Sequence, residues 1–309
     1  MSTNFEMLKK QLDDAVGLIE KTNVDWESHI GLPESFGSLN DIQSLLDLCD
    51  KICKEYEVKK KPTIRIIHHL ACSGGTLISK CISAMPNVYL LSEVHPFINR
   101  GTGLGTDIST LTKYAGIPNQ RKLAEGLFKE SIDKVYQHVN DLGGALVLRD
   151  HSHVDFNTNE EIPEKSRTLA ILEEDYTVQS ILTIRNPIDS YESLVKNGWV
   201  HFKPRTFDEY CSRLLQLINK FKKEEIFKYE DFVKQPKEQM QMITKALSLP
   251  YDDDFEDIFG IFKVTGDSGR SSDVISDRPR RELSATFENE IINSTNFQSI
   301  IDANYFKTQ

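Results

Sequence analysis

Apolar residues follow two rhythms along this chain. Over residues 1–60 they recur at three- to four-residue spacing, first as Phe5, Leu8, Leu12, Val16 and Ile19, then as Ile42, Leu45, Leu46, Cys49, Ile52 and Cys53. That spacing predicts two amphipathic helices, read as an N-terminal cap. From Thr63 onward the pattern changes to short aliphatic and β-branched runs at 63–67, 88–91, 145–148, 181–184 and 226–229. Helical spacing returns between and beyond them near 121–140, 188–196, 206–222 and 237–247. Short continuous apolar runs suit strands buried on both faces, and their alternation with helices calls for a parallel sheet with right-handed crossovers. The expected fold class is therefore α/β: one domain over 61–309, with a central parallel β-sheet flanked by helices and with capping helices over 1–60.

Two of these strands end in chemistry suited to anions. After Ile64, Ile66 and Ile67 the chain becomes small and polar at Ser73, Gly74, Gly75 and Thr76. A helix opening near Thr76 aims unpaired N–H groups and the positive end of its dipole at whatever lies before it, and glycine lets the backbone come close. The loop lacks the Gly-Lys-Ser/Thr ending of a nucleoside-triphosphatase, because Lys80 follows Thr76 by four residues, one turn inside the helix. The second junction follows Ile181, Leu182 and Ile184: Arg185 ends the strand, Pro187 suits the first turn of a helix, and Ser193 lies eight residues after Arg185. A guanidinium with a nearby hydroxyl suits a terminal phosphate. Two such junctions imply one ligand with phosphates at both ends.

With these residues in place, the chain resembles the sulfotransferases that use 3′-phosphoadenosine 5′-phosphosulfate (PAPS). The resemblance covers roughly 63–281: the stretch from Lys228 to Phe255 is similar to the family's strand, acidic turn, helix and Leu-Pro ending, and 264–272 resembles its late loop over the nucleotide. It implies a P-loop-type domain, PAPS as co-substrate, PAP as product and no required metal. It also implies that Cys72, Ser73, Gly74, Gly75, Thr76 and Leu77 hold the phosphosulfate, that Arg185 and Ser193 hold the 3′-phosphate, and that Gly269 and Arg270 close over it. Tyr229, Glu230 and Asp231 are read as a packing element.

Sulfuryl transfer needs a base for the acceptor's proton and positive charge on the departing phosphate, as phosphoryl transfer does. Two residues compete for the base. Glu93 falls where the tyrosylprotein branch has its catalytic Glu, and His151, in Arg149-Asp150-His151, resembles the Lys-x-His strand end of the cytosolic branch. Glu93 is favoured. The resemblance has one departure: both branches carry Lys or Arg immediately before the loop's Ser-Gly, and this chain has Cys72. Arg149, at a neighbouring strand end, is the expected substitute. Cys72 itself is read as a small buried thiol.

Bulk properties narrow the partners. Lys and Arg number 37 against 47 Asp and Glu, a net charge of −10, which argues against a broad grip on nucleic acid or a highly sulfated polysaccharide. No apolar run reaches the roughly 18 residues of a membrane span, and the acidic amphipathic N-terminus is not a signal peptide. The five cysteines, Cys49, Cys53, Cys72, Cys81 and Cys211, form no paired CxxC sets. The expectation is a cytoplasmic enzyme acting on a small-molecule or carbohydrate acceptor, with no nucleic acid and no membrane. Its pocket is expected from 96–119, 150–168 and 198–207, with His95, His153, Trp199, His201 and Phe202 as lining candidates. Two rivals stay open: a magnesium-dependent small-molecule kinase, with Asp150 as the metal carboxylate, and a catalytically silent relative that only binds nucleotide.

Overall fold

The computed structural model describes residues 61–97, 108, 111–112, 115–265, 274–276 and 280–306; the two helices expected in residues 1–60 and the loop residues Gly269 and Arg270 lie outside the described residues. Five strands form one sheet: β1 (Thr63–His69), β2 (Val88–Val94), β3 (Ala145–Asp150), β4 (Thr177–Ile184) and β5 (Ile226–Lys228). Their order is β2-β3-β1-β4-β5 and every neighbouring pair is parallel, as the alternating pattern requires. The crossovers carry α1 (Gly75–Ser83), α2 (Gln120–Asp141), α3 (His153–Phe156), α4 (Arg167–Leu172), α5 (Pro187–Lys196) and α6 (Phe207–Ile218). After β5 come α7 (Tyr229–Lys234), α8 (Pro236–Ala246), α9 (Phe255–Ile258), α10 (Ala285–Ile292) and α11 (Thr295–Asp302).

Because side chains alternate along a strand, each strand feeds two cores. Ile67, Val147 and Ile181 point to one face, against Ile78, Cys81 and Ile82 of α1 and Met240 and Ile243 of α8. Ile64, Ile66, Leu146 and Leu148 point to the other, against Ile132 and Val139 of α2 and Leu172 of α4. Leu182 and Ile184 face the same way, packing on Ile188 and Leu194 of α5 and on Phe207 and Leu214 of α6. The adjacent strands β1 and β4 therefore send their helices to opposite faces, which opens a crevice beyond their carboxyl ends.

Three strands run further than their apolar cores. β1 continues to His69, β2 to Val94 and β3 to Asp150, so Glu93 and Arg149 are strand residues rather than loop residues. Backbone pairing continues there, with Val94 opposite Asp150 and the His151 N–H donating to the Val94 carbonyl at 2.9 Å. α6 ends at Ile218, four residues before the expected limit, with Asn219 as its cap. The last two helices have no counterpart in the apolar pattern, yet each opens on a serine whose hydroxyl accepts a backbone N–H: Ser284 from Phe287 at 3.3 Å and Ser294 from Phe297 at 3.0 Å. Their Phe287, Phe297 and Ile300 complete the core around α6.

Among the described residues no helix is long and apolar enough to cross a membrane. Ile67 is fully buried between β3, β4 and α1. Replacing it by Ala is expected to cost about 2–5 kcal/mol, the usual toll of an aliphatic deletion in a core. Urea unfolding measures it, and a midpoint equal to wild type would refute the packing.

Candidate active site

The loop between β1 and α1 is shaped by two glycines with different reasons to be there. Gly74 precedes α1 at φ 83°, in the left-handed region, and a Cβ there would lie 2.1 Å from Cδ2 of Tyr229. A Cβ on Gly75 would lie 2.6 Å from Cδ2 of His69. Both aromatic rings thus press on backbone that only glycine can supply. Cys72 also has positive φ, at 68°, and its Sγ accepts from Asn197 Nδ2 at 3.7 Å; the thiol is half-buried at the cleft rather than buried as expected. The first turn of α1 carries no acidic residue, so the positive end of the helix faces the cleft uncancelled.

The second junction meets the first across one ring. Arg185 follows β4, Asn186 caps α5 by accepting the Ile188 N–H at 3.0 Å, and Pro187 holds the first helical position. The Asn186 N–H donates to Glu230 Oε1 at 2.8 Å, which ties the end of β4 to α7. The Arg185 guanidinium lies 4.9 Å from the centroid of Tyr229, the ring that presses on Gly74. Ser193, buried on α5, lines the same cleft as Cys72, Gly74, Gly75, Thr76, Leu77 and Arg185. Tyr229 and Glu230, expected only to pack, are also the pieces that set Arg185 against the loop. Ser73 is buried and is not among the residues that line the cleft.

The ends of β2 and β3 complete the cleft with a charged network. Glu93 stands at φ 60°, where the β2–β3 register shifts between Leu91 and Val94; this bulge turns its carboxylate toward β3. Its Oε2 meets His151 Nδ1, and its Oε1 lies 3.1 Å from Arg149 Nη2. Arg149 donates from Nε to His69 Nε2 at 3.1 Å, from Nη2 to Thr76 Oγ1 at 3.2 Å, and from Nη1 to Ser92 Oγ at 3.1 Å and the Thr265 carbonyl at 3.0 Å. Burial alone would raise the Glu93 carboxyl, but the His151 hydrogen bond and the Arg149 charge outweigh it and hold the group down at about 2. Burial, reinforced by the Arg149 charge, pushes the His69 imidazole well below its usual range. Burial likewise pushes His153, which lines the cleft beside His151, down to about 3.

Asp150 faces the other way. It is fully buried, and its Oδ2 accepts from His68 Nδ1 at 3.0 Å, Ser152 at 2.6 Å and Ser166 at 3.2 Å. It does not line the cleft, which leaves the kinase reading without its metal carboxylate. Of the acceptor candidates, His153 and Trp199 line the cleft, and His201 lies 5.7 Å from His153, ring to ring. His95, bonded to Asp155 at 3.1 Å, and Phe202 are buried packing residues. His69 escaped the sequence reading. Its signal was the strand alternation itself, since continuing Arg65, Ile67 by two residues puts His69 on the Arg149 face.

No family model matches the chain, and no curated protein sequence matches it. Among solved structures it is similar to a sulfotransferase domain from the Synechococcus PCC 7002 olefin synthase, at 15% identity over 81% of this chain and 97% of that one, with a TM-score of 0.49. It is also similar to mouse sulfotransferase SULT7A1 complexed with PAP (13% identity, 79% of this chain and 89% of that one, TM-score 0.41). A third similarity is to the sulfotransferase STF1 from Mycobacterium tuberculosis H37Rv (14% identity, 68% and 73%, TM-score 0.36). At such identities and scores the case for function rests on the side chains.

Two outcomes test this geometry. Gly74→Ala is expected to destabilise by more than about 1 kcal/mol, because a left-handed residue gains a side chain against Tyr229; an unchanged urea midpoint would remove the contact. The second concerns pH. The Glu93 carboxyl is lowered from its ordinary 4.5 to about 2 on folding, so its stabilisation is whole above 4.5 and drains as the pH falls toward 2. The stability gap between wild type and Glu93→Gln should therefore be wide at about pH 7 and narrower at about pH 4. A gap independent of pH would contradict the ion network.

Proposed function

We propose that this chain is a PAPS-dependent sulfotransferase that acts in the cytoplasm on a hydroxyl, or less readily an amine, of a small-molecule or carbohydrate acceptor. The observation that carries this reading is the convergence of Arg185 and the Gly74–Gly75 bend on one ring, that of Tyr229. A ligand spanning that ring needs anionic groups at both extremities, and a 3′,5′-bisphosphorylated adenosine has them. In this reading the loop and the N-terminus of α1 hold the 5′-phosphosulfate and Arg185 with Ser193 holds the 3′-phosphate, while Gly269 and Arg270 are assigned by resemblance alone. The thiols Cys81 and Cys211, buried in the two cores, accord with a reducing compartment.

The base assignment moves from Glu93 to His151. Both Glu93 oxygens are engaged and its low pKa makes it a poor proton acceptor, whereas it can accept a hydrogen bond from His151 Nδ1–H and so leave Nε2 with its lone pair for the acceptor. The acceptor oxygen then attacks sulfur, its proton passes to His151 Nε2, the bond from sulfur to the 5′-phosphate oxygen breaks, and PAP departs with the electron pair. Arg149, against the Thr76 hydroxyl, is the cation that stabilises the sulfuryl group in transfer. It takes the part that Cys72 cannot play.

Arg185→Ala is expected to weaken PAP binding by about 1.5–3 kcal/mol in calorimetry, as for hydrogen bonds to a charged group. Transfer of labelled sulfonate from PAPS into a metabolite extract tests the activity. There His151→Ala should lose about 10²–10⁴-fold while PAP binding holds, the scale of a lost general base. Nucleotide binding with no labelled product would favour the silent relative, and a magnesium requirement for ATP binding would revive the kinase.

A further inference from the structure

The loop at 70–76 reads Leu-Ala-Cys-Ser-Gly-Gly-Thr and supplies no cation of its own, so the guanidinium that lies against Thr76 must be delivered from β3. A long Arg side chain reaching across from a neighbouring strand needs something to fix its aim. His69 is placed for that task. β1 and β3 pair in parallel with Ile67 opposite Arg149, so His69, two residues on, points to the same face just beyond it. Its Nε2 receives Arg149 Nε at 3.1 Å and Nη2 at 2.9 Å. Its ring is buried and wedged under Gly75 at the start of α1. Because Nε2 accepts, the proton is on Nδ1 and the imidazole is neutral. Glu93 already supplies the carboxylate, 3.1 Å from Nη2, so the neutral imidazole fixes the guanidinium on a second side without adding further negative charge.

We propose that His69 is a positioning residue for sulfuryl transfer, fixing Arg149 so that its guanidinium meets the sulfonate of the donor at the mouth of the loop. This rests on the sulfotransferase reading above, and its test separates the two. Arg149 acts on the sulfonate, which PAPS has and PAP lacks, so the readout is the affinity for each nucleotide measured by calorimetry on the full chain. His69→Leu, which keeps bulk and removes the acceptor, should leave the PAP dissociation constant within about twofold and raise that of PAPS about tenfold or more, the range for hydrogen bonds to charged groups. His69→Gln, whose carboxamide oxygen can accept in place of Nε2, should restore most of the PAPS affinity. The Leu change should add nothing in an Arg149→Met background, since the residue it positions is gone.

Equal weakening of both nucleotides, no weakening of PAPS, or full additivity with Arg149→Met would overturn the role of His69 while leaving the donor reading intact. A wild-type chain that binds neither nucleotide would overturn the donor reading and, with it, the purpose given to His69. The contact itself is read independently by ¹⁵N NMR as a slowly exchanging Arg149 Nε–H, expected in wild type and His69→Gln and lost in His69→Leu. Its absence from wild type would sink the proposal whatever the nucleotides do.

Discussion

The structure depends on a constraint of parallel sheets. With every strand pointing the same way, all the strand ends that could carry polar loops lie along one edge. In the order β2-β3-β1-β4-β5 the central pair β1 and β4 hand the chain to helices on opposite faces. A crevice opens between them where the two helices diverge. Residues far apart in the chain are brought to one place by this topology, and the two anion-binding junctions are the clearest case. Tyr229, from the end of β5, fills the gap so closely that Gly74 can have no side chain and Arg185 stacks on what remains of the ring.

Around that crevice the charges are arranged in layers set by strand alternation. Arg149 and His69 share one face, and Asp150 and His68 share the other, though the residues of each strand are adjacent in sequence. The inner pair addresses the cleft; the outer pair is a buried structural link reinforced by Ser152 and Ser166. Glu93 then draws His151 and Arg149 together through its two oxygens, at the cost of a left-handed backbone in β2. Such backbone strain persists only where the surroundings hold it, here a network of buried hydrogen bonds.

Much of the scaffold was legible from residue patterns. The apolar runs located all five strands, because a strand covered on both faces has little room for polar side chains. The polar turn at Ser73 to Thr76 and the Arg185–Pro187–Ser193 spacing marked the two junctions, because glycine, proline and arginine each answer a specific backbone or charge requirement. The strand ends were less legible. Arg149 and Glu93 read as loop residues since hydrophobicity had already stopped, yet cross-strand hydrogen bonds carry the ladder past them.

What the sequence determined by itself, then, is local: where the chain extends, where it coils, and which stretches suit an anion, since these follow from the bonding and sterics of a few neighbouring residues. The tertiary structure alone decided which way each polar side chain faces and whom it meets. That Asp150 turns from the cleft while Arg149 turns into it, that His69 receives the guanidinium, and that Glu93 backs His151 are consequences of register and of a single bulge. A shift of one residue reverses the face of every side chain on a strand, and that register is fixed by the packing of the whole sheet rather than by any segment within it.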